Sequence, residues 1–344
     1  MKNFILLFLC MFSPLTPAFT DELPLIIDHD SSADDVIATT LQVLYNPNRI
    51  KAITITPADC YAHPATFIMA RLKKLFVPKE IDIPIGIGDD EGVNLFPSEW
   101  RACTFGLAQL PVWRIDNEEN VDTVEIKSIL SPVIVLTKVL KELSTQVDIL
   151  ETGPCTNIAQ VLKEHPEFKN KIHCIYMMGG ALYIRGNVTE IGRDGSAEWN
   201  IYNNPMAFLE LLKTKIYIKL ISLDATQYTP VKSEFIAQVG KKIAHKPCQL
   251  VYESLKMLKP FVDTGQYCFW DVLTSASVID PKIVKMKKVK INVKLNGPSM
   301  GKIFEDNNGF EVEVAIWADQ KLFEKTILDI LSKDVYLPRC KAAA

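Results

Sequence analysis

The chain has 344 residues, 48% hydrophobic and 23% charged, with a formal net charge of -3 and a pI near 6.0. That composition excludes a disordered or fibrous chain and gives core enough for one large α/β domain. No basic surplus points to nucleic acid or to an anionic membrane surface.

Lys2, the apolar run Phe4 to Phe12 and the break Ser13-Pro14-Leu15-Thr16-Pro17-Ala18 read as a secretory signal peptide over residues 1–20. The run is too short to span a bilayer. Cys10 has no small residue before it, which argues against a lipoprotein anchor. The expected setting is secreted or periplasmic, with residues 21–344 forming a single domain.

Leu23 to Ile27 reads as a short buried strand and Val36 to Leu44 as a packed helix. Between them lies Asp28-His29-Asp30-Ser31-Ser32-Ala33-Asp34-Asp35. Four carboxylates thus stand at a strand's carboxyl end and in the next helix's first turn, where open α/β sheets bind ligands. At neutral pH such a cluster persists only with a cation among its members or with raised pKa values. Hard oxygen donors suit Ca²⁺ or Mg²⁺ rather than Zn²⁺. Asp28 and Asp30, two apart on an extended chain, point to one side, with His29 on the other. Asp34 and Asp35 diverge by roughly 100° on a helix, so one can hold a metal while the other reaches a ligand. A plain helix start explains Asp34 and Asp35 but not Asp28 and Asp30.

Arg49 to Thr56 looks like a second strand, with Asp59 beyond its tip. A basic amphipathic helix follows from Pro64 to Phe76, then a short strand from Ile83 to Gly88. Asp89 to about Val124 reads as a long irregular segment carrying Trp100 and Trp113; loops of that length are usually functional. Ser131 to Leu143 is a helix, Val147 to Glu151 a strand ending in Thr152-Gly153-Pro154, and Asn157 to Glu164 the next helix. His173 to Met178 is a strand ending in Gly179-Gly180, and Leu182 to Thr189 reads as a small hairpin turning at Arg185-Gly186-Asn187. Pro205 to Leu212 is helical, Lys215 to Ser222 a strand, Lys232 to Phe261 mostly helical and Trp270 to Val278 a short helix. Val289 to Val293 and Glu311 to Ile316 are late strands before a closing helix, Leu322 to Leu331. The alternation predicts right-handed crossovers and an α/β fold, a mainly parallel open sheet flanked by helices.

The eight cysteines and five histidines show no metal-ligand spacing. Without Cys10 the cysteines number seven, so at least one stays free or bridges to another chain.

The acid-rich start and four later stretches resemble the inosine–uridine-type nucleoside hydrolase family. The stretches are Glu151 to Asn157, Met178 to Ala181 with Arg185-Gly186-Asn187, Ala197 to Tyr202, and Phe269-Trp270-Asp271. They fall in the family's order between residues 23 and 333. Thr56 to Cys60 and Phe96 to Arg101 are similar to the purine-preferring branch. The resemblance implies a Rossmann-like fold and Ca²⁺-dependent hydrolysis of purine ribonucleosides to base and ribose. Asp30, Asp35, Asp271 and the Thr152 carbonyl would hold the Ca²⁺, with Asp28 supporting them from behind. Asp30 would be the general base for water. Asp34, Asn187, Glu198 and Asn200 would take the ribose hydroxyls, and Met178 would line the sugar pocket. Asp59 would bind the base, with Trp100 and Trp270 stacked on it. Trp199 reads as core. In pyrimidine-tolerant members a histidine precedes the last metal-binding aspartate; here Trp270 stands there, and stacking on a purine would raise the basicity of N7. The resemblance also implies a homodimer or tetramer.

Two features depart from the family. Ser31-Ser32-Ala33 lacks the usual loop glycine, so a backbone needing positive φ would be strained. Val262 stands where some purine-branch members have an arginine. Two other readings compete: a haloacid-dehalogenase-like phosphatase with Asp28 as nucleophile, and a secreted nucleoside-binding protein with a dead site.

Overall fold

The computed structural model describes residues 22–88, 92–114 and 130–333. The expected signal peptide, Cys10, Cys340, residues 89–91 and residues 115–129 lie outside them. Nine strands form one sheet: β1 (Leu25–His29), β2 (Ile50–Ile55), β3 (Ile85–Ile87), β4 (Val147–Glu151), β5 (Ile172–Met178), β6 (Ile218–Ile221), β7 (Val284–Val293), β8 (Ile303–Glu305) and β9 (Phe310–Ala318). Their order is β3-β2-β1-β4-β5-β6-β9-β7-β8. All pairs from β3 to β9 are parallel, and β7 and β8 add an antiparallel edge.

The central strands are apolar throughout because helices cover both faces. Ile26, Ile149 and Ile175 point into one core with the helices Pro132–Glu142, Thr156–Glu164 and Pro205–Lys213. Leu25, Ile27 and Leu150, one residue out of step, point into the opposite core with the helix Ala62–Phe76. Each such large side chain contributes about 1.5–3 kcal/mol on burial. A third core joins α1 (Ala33–Tyr45) to the helices Lys246–Met257, Trp270–Ile279 and Gln320–Leu331.

Several expected elements change. Residues 182–189 form no hairpin; Asn187 and Val188 both donate backbone N–H to the Ala197 carbonyl, so this segment pairs with the chain ahead of Glu198. The segment around Trp100 is partly helical, with helices Ser98–Arg101 and Cys103–Leu107 and a 3₁₀ turn at Pro111–Trp113. Trp113 is core, donating its indole N–H to the Leu107 carbonyl at 2.7 Å. The edge strand β8 was not foreseen, and β7 starts earlier than the pattern suggests. The described cysteines, at 60, 103, 155, 174, 248 and 268, are all free thiols.

The strand order reverses between β1 and β4, which opens a crevice at their carboxyl ends. The acid-rich loop enters it. Ser31 has a left-handed φ of 63°, which costs a residue with a side chain about 1–2 kcal/mol. Its N–H donates to His29 Nδ1 at 3.1 Å, and its buried hydroxyl has no partner among the described residues. The strain foreseen for a loop without glycine is therefore present. Ser31→Gly should raise the unfolding free energy by about 1 kcal/mol, since glycine's extra freedom when unfolded offsets part of the relief. Denaturant unfolding tests this; an unchanged or lower midpoint at equal slope would contradict it.

Candidate active site

The β4 tip meets the acid loop closely. A Cβ on Gly153 would lie 2.8 Å from the Asp30 nitrogen, so glycine is required for the approach. Thr152 thereby donates its hydroxyl to Asp35 Oδ1 at 2.5 Å, while the Ser32 N–H donates to Asp35 Oδ2 at 2.9 Å. Ser32 is the N-cap of α1, and its hydroxyl donates to Asp34 Oδ1 at 2.6 Å. Asp271 arrives on the Trp270–Ile279 helix, which is clamped to α1. Gln42 Nε2 donates to the Ser275 carbonyl at 2.8 Å, and the Ser275 hydroxyl donates to the Ala38 carbonyl at 2.8 Å. Asp271 stands close enough to Asp34, and Asp30 to Asp35, for each carboxyl to feel its neighbour's charge.

Burial dominates the electrostatics. It pushes the Asp28 and Asp35 carboxyls up to about 6. Burial first, then repulsion from neighbouring aspartates, raises Asp30 and Asp271 well above the ordinary carboxylate range. Burial thus favours the neutral form of each of these carboxyls. Asp28 is bonded away from the other aspartates. Its Oδ1 accepts from Thr54 Oγ1 and Asn157 Nδ2, both at 2.9 Å, on the sheet side of the cluster. It also faces Glu151, its register partner on β4, whose buried carboxyl is raised well above normal. Glu151 was not foreseen, because nothing in its own motif distinguishes it; the β1–β4 register makes it a neighbour of Asp28.

Met178, Asn187, Glu198 and Asn200, expected to face the ribose, gather at the same crevice. Asn200 Nδ2 donates to the Thr152 carbonyl at 3.0 Å and lies 3.3 Å from Met178 Sδ. Glu198 caps the helix Trp199–Asn203, accepting from Asn200 N at 2.9 Å and Ile201 N at 3.2 Å, and also accepts from Gly180 N at 2.8 Å. Its acceptor positions are thus mostly filled by backbone. Asn187 is tied to this group by accepting the Trp199 N–H at 3.1 Å.

Asp59, Trp100 and Trp270, expected to face the base, are less tightly gathered. Burial, then repulsion from Asp34 and Asp35, raises Asp59 well above normal, opposed by the nearby Arg101 guanidinium. Arg101 donates to the Cys60 carbonyl at 3.2 Å and stacks over Tyr61. Trp100 and Trp270 make no ring contact with each other among the described residues. They are joined through Phe261 and Tyr267, with centroid steps of 6.5, 5.5 and 4.9 Å. Trp199 is buried against Phe96, Trp100 and Tyr202, as core. Tyr267 is another residue the sequence did not reveal; its hydroxyl is raised by burial and by Asp34 and Asp271.

Among the described residues no three His, Cys, Asp or Glu side chains already stand in ligand geometry; Asp35 accepts from Ser32 and Thr152 instead, and Asp34 from Ser32. The donor set still fits a hard cation. It is all oxygen, it is buried, and Asp30 Oδ2 has no partner among the described residues. The Thr152 carbonyl, bonded once by Asn200, keeps a second lone pair.

Residues 25–325 match the family model of the inosine-uridine preferring nucleoside hydrolases. The chain belongs to that family. It is 27% identical over 293 residues to the pyrimidine-specific ribonucleoside hydrolase RihA of Salmonella typhimurium, covering 80% of this chain and 85% of that one. It superposes on the inosine-uridine preferring nucleoside hydrolase of Bacillus anthracis with a TM-score of 0.81 at 26% identity, covering 90% of this chain and 99% of the other. The purine-preferring ribonucleoside hydrolase of Gardnerella vaginalis shares the fold, with a TM-score of 0.71 at 23% identity over 90% and 98% of the two chains.

The raised carboxyls fix the sign of a pH effect. A carboxyl held protonated in the fold makes the native state bind more protons than the unfolded chain. Stability then falls as pH rises from about 4, the unfolded value, through about 6 for Asp28 and Asp35, and further for Asp30 and Asp271. Melts in strong chelator should show Tm falling across that window, and added Ca²⁺ should flatten the fall. A Tm that rises over the same window in chelator would contradict the electrostatic account.

Proposed function

We propose that this nucleoside hydrolase cleaves the N-glycosidic bond of purine ribonucleosides, giving free base and ribose, with Ca²⁺ as cofactor and after export from the cytoplasm. The observation that carries the reading is the buried group Asp30, Asp34, Asp35 and Asp271, in which burial penalises ionisation. Asp30, Asp35, Asp271 and the Thr152 carbonyl would hold the ion. When bound, it would neutralise the carboxylates and acidify a water in its shell.

This chain's own residues supply the rest. Asp30 Oδ2 takes the proton of the attacking water, as a positioned general base does. Asp34, Asn187, Glu198 and Asn200 hold the ribose hydroxyls, and Met178 packs on the sugar. The surrounding carboxylates favour the cationic, oxocarbenium-like sugar as the bond breaks. Asp59 receives the base at the crevice mouth. Trp270, directly before Asp271, and Trp100 present the aromatic faces on which a large purine gains more contact than a pyrimidine. The likeness to a pyrimidine-specific hydrolase makes base preference the point to test.

A substrate panel does so. The parent chain with Ca²⁺ should release base from inosine, adenosine or guanosine at a kcat/KM at least tenfold above uridine and cytidine. Asp30→Asn should lower kcat on the best substrate by at least about 10²-fold. Preferred turnover of uridine would overturn the purine assignment, and an undiminished Asp30→Asn would remove the base.

A further inference from the structure

The segment from Ala181 to Ala197 carries Asn187 and leaves β5 directly after Met178. Its path is set by a residue not yet assigned a role. Asp224 lies in the short helix Leu223–Thr226, just beyond β6, and is 3% exposed. Its Oδ2 accepts the Leu182 N–H and its Oδ1 the Tyr183 N–H, each at 2.8 Å. The Ser222 hydroxyl donates to Oδ2 at 2.9 Å. Among the described residues Asp224 pairs with no cation, so its charge is met by these donors.

The same turn is held from three further directions. Glu198 Oε2 accepts the Gly180 N–H at 2.8 Å, and the Gly180 carbonyl accepts from Leu223 N at 2.9 Å. Gly180 itself needs its φ of 76°, and a Cβ there would lie 2.6 Å from Ile303 Cδ1 on β8. Leu223 packs with Met178 and Ala181, and Ile184 and Trp270 pack against that group. On the outside, the Tyr183 hydroxyl is bonded to Glu305 and accepts from Lys287 Nζ at 2.5 Å. The antiparallel edge β7–β8 therefore braces the outer side of this turn, while Asp224 holds the inner side.

We propose that Asp224 is a positioning residue for hydrolysis: its carboxylate fixes the Gly179–Tyr183 turn and, through it, aims Asn187 and Met178 at the ribose. The inference rests on the nucleoside-hydrolase reading above. An amide cannot accept two N–H groups on its two ends, because one end is itself a donor. Asp224→Asn should therefore let the turn shift while leaving the side-chain volume unchanged.

The test is a double-mutant cycle on the parent's best nucleoside, with Asn187→Ala as the second change. Asp224→Asn should lower kcat/KM at least tenfold, and Asn187→Ala should lower it by a similar factor. The Asp224→Asn/Asn187→Ala double variant should fall well short of the product of the two losses, because both act on one contact. Ser222→Ala, which removes a hydroxyl shared between Asp224 Oδ2 and the Ala315 carbonyl of β9, should give a few-fold loss with the same non-additivity; it decides the question if Asp224→Asn does not fold. Losses that multiply, in variants that melt as cooperatively as the parent, would overturn the positioning role alone. A parent chain inert towards every nucleoside would overturn the hydrolase reading and this proposal together.

Discussion

The structure is organised around a repulsion. Asp30, Asp34, Asp35 and Asp271 are buried close enough to repel one another, beside Asp28 and Glu151. Two like charges about 4 Å apart repel by roughly 4 kcal/mol at an effective dielectric constant near 20. A fold cannot carry several such pairs ionised and uncompensated. Either protons or a cation must be present, and the upward shift of every carboxyl in the group expresses that demand.

Much of the architecture serves to hold that cluster together. The reversal of strand order leaves the crevice open, the tip of β4 closes on it through Gly153, and the α1 to Trp270–Ile279 contact delivers Asp271 from more than two hundred residues away along the chain. Ser31 accepts a strained backbone in the same loop. The neighbourhood of Gly180 is built differently. Glu198 and Asp224 spend most of their acceptor positions on backbone N–H groups, which fixes the loops rather than gathering charge. Acid residues thus do two jobs within one site: those of the first loop are crowded, and those around Gly180 are satisfied.

The central strands were legible in the sequence because burial on both faces makes them short continuous apolar runs; β4 was foreseen to the residue, and β2 and β5 within one. The antiparallel edge was not, since β8 is three residues long and the outward lysines of β7 mask its pattern. The residues 182–189 were misjudged because a turn-rich stretch can pair with a distant carbonyl as readily as with itself. In the site, the family motifs pointed to Asp30, Asp34, Asp35 and Asp271, and the structure gathers them. No role was foreseen for Glu151, Tyr267 or Asp224, as each matters through a register or packing contact that a local motif does not record. Trp100 and Trp270, both expected against the base, are linked through Phe261 and Tyr267.

The most direct test of the account is a calorimetric titration of the chelator-stripped chain with Ca²⁺ near neutral pH, repeated in buffers of different ionisation heat. If the cluster is built for a cation, one Ca²⁺ should bind per chain and release protons from the raised carboxyls, so the apparent heat should vary with the buffer. Absence of binding, or binding with a buffer-independent heat, would contradict it.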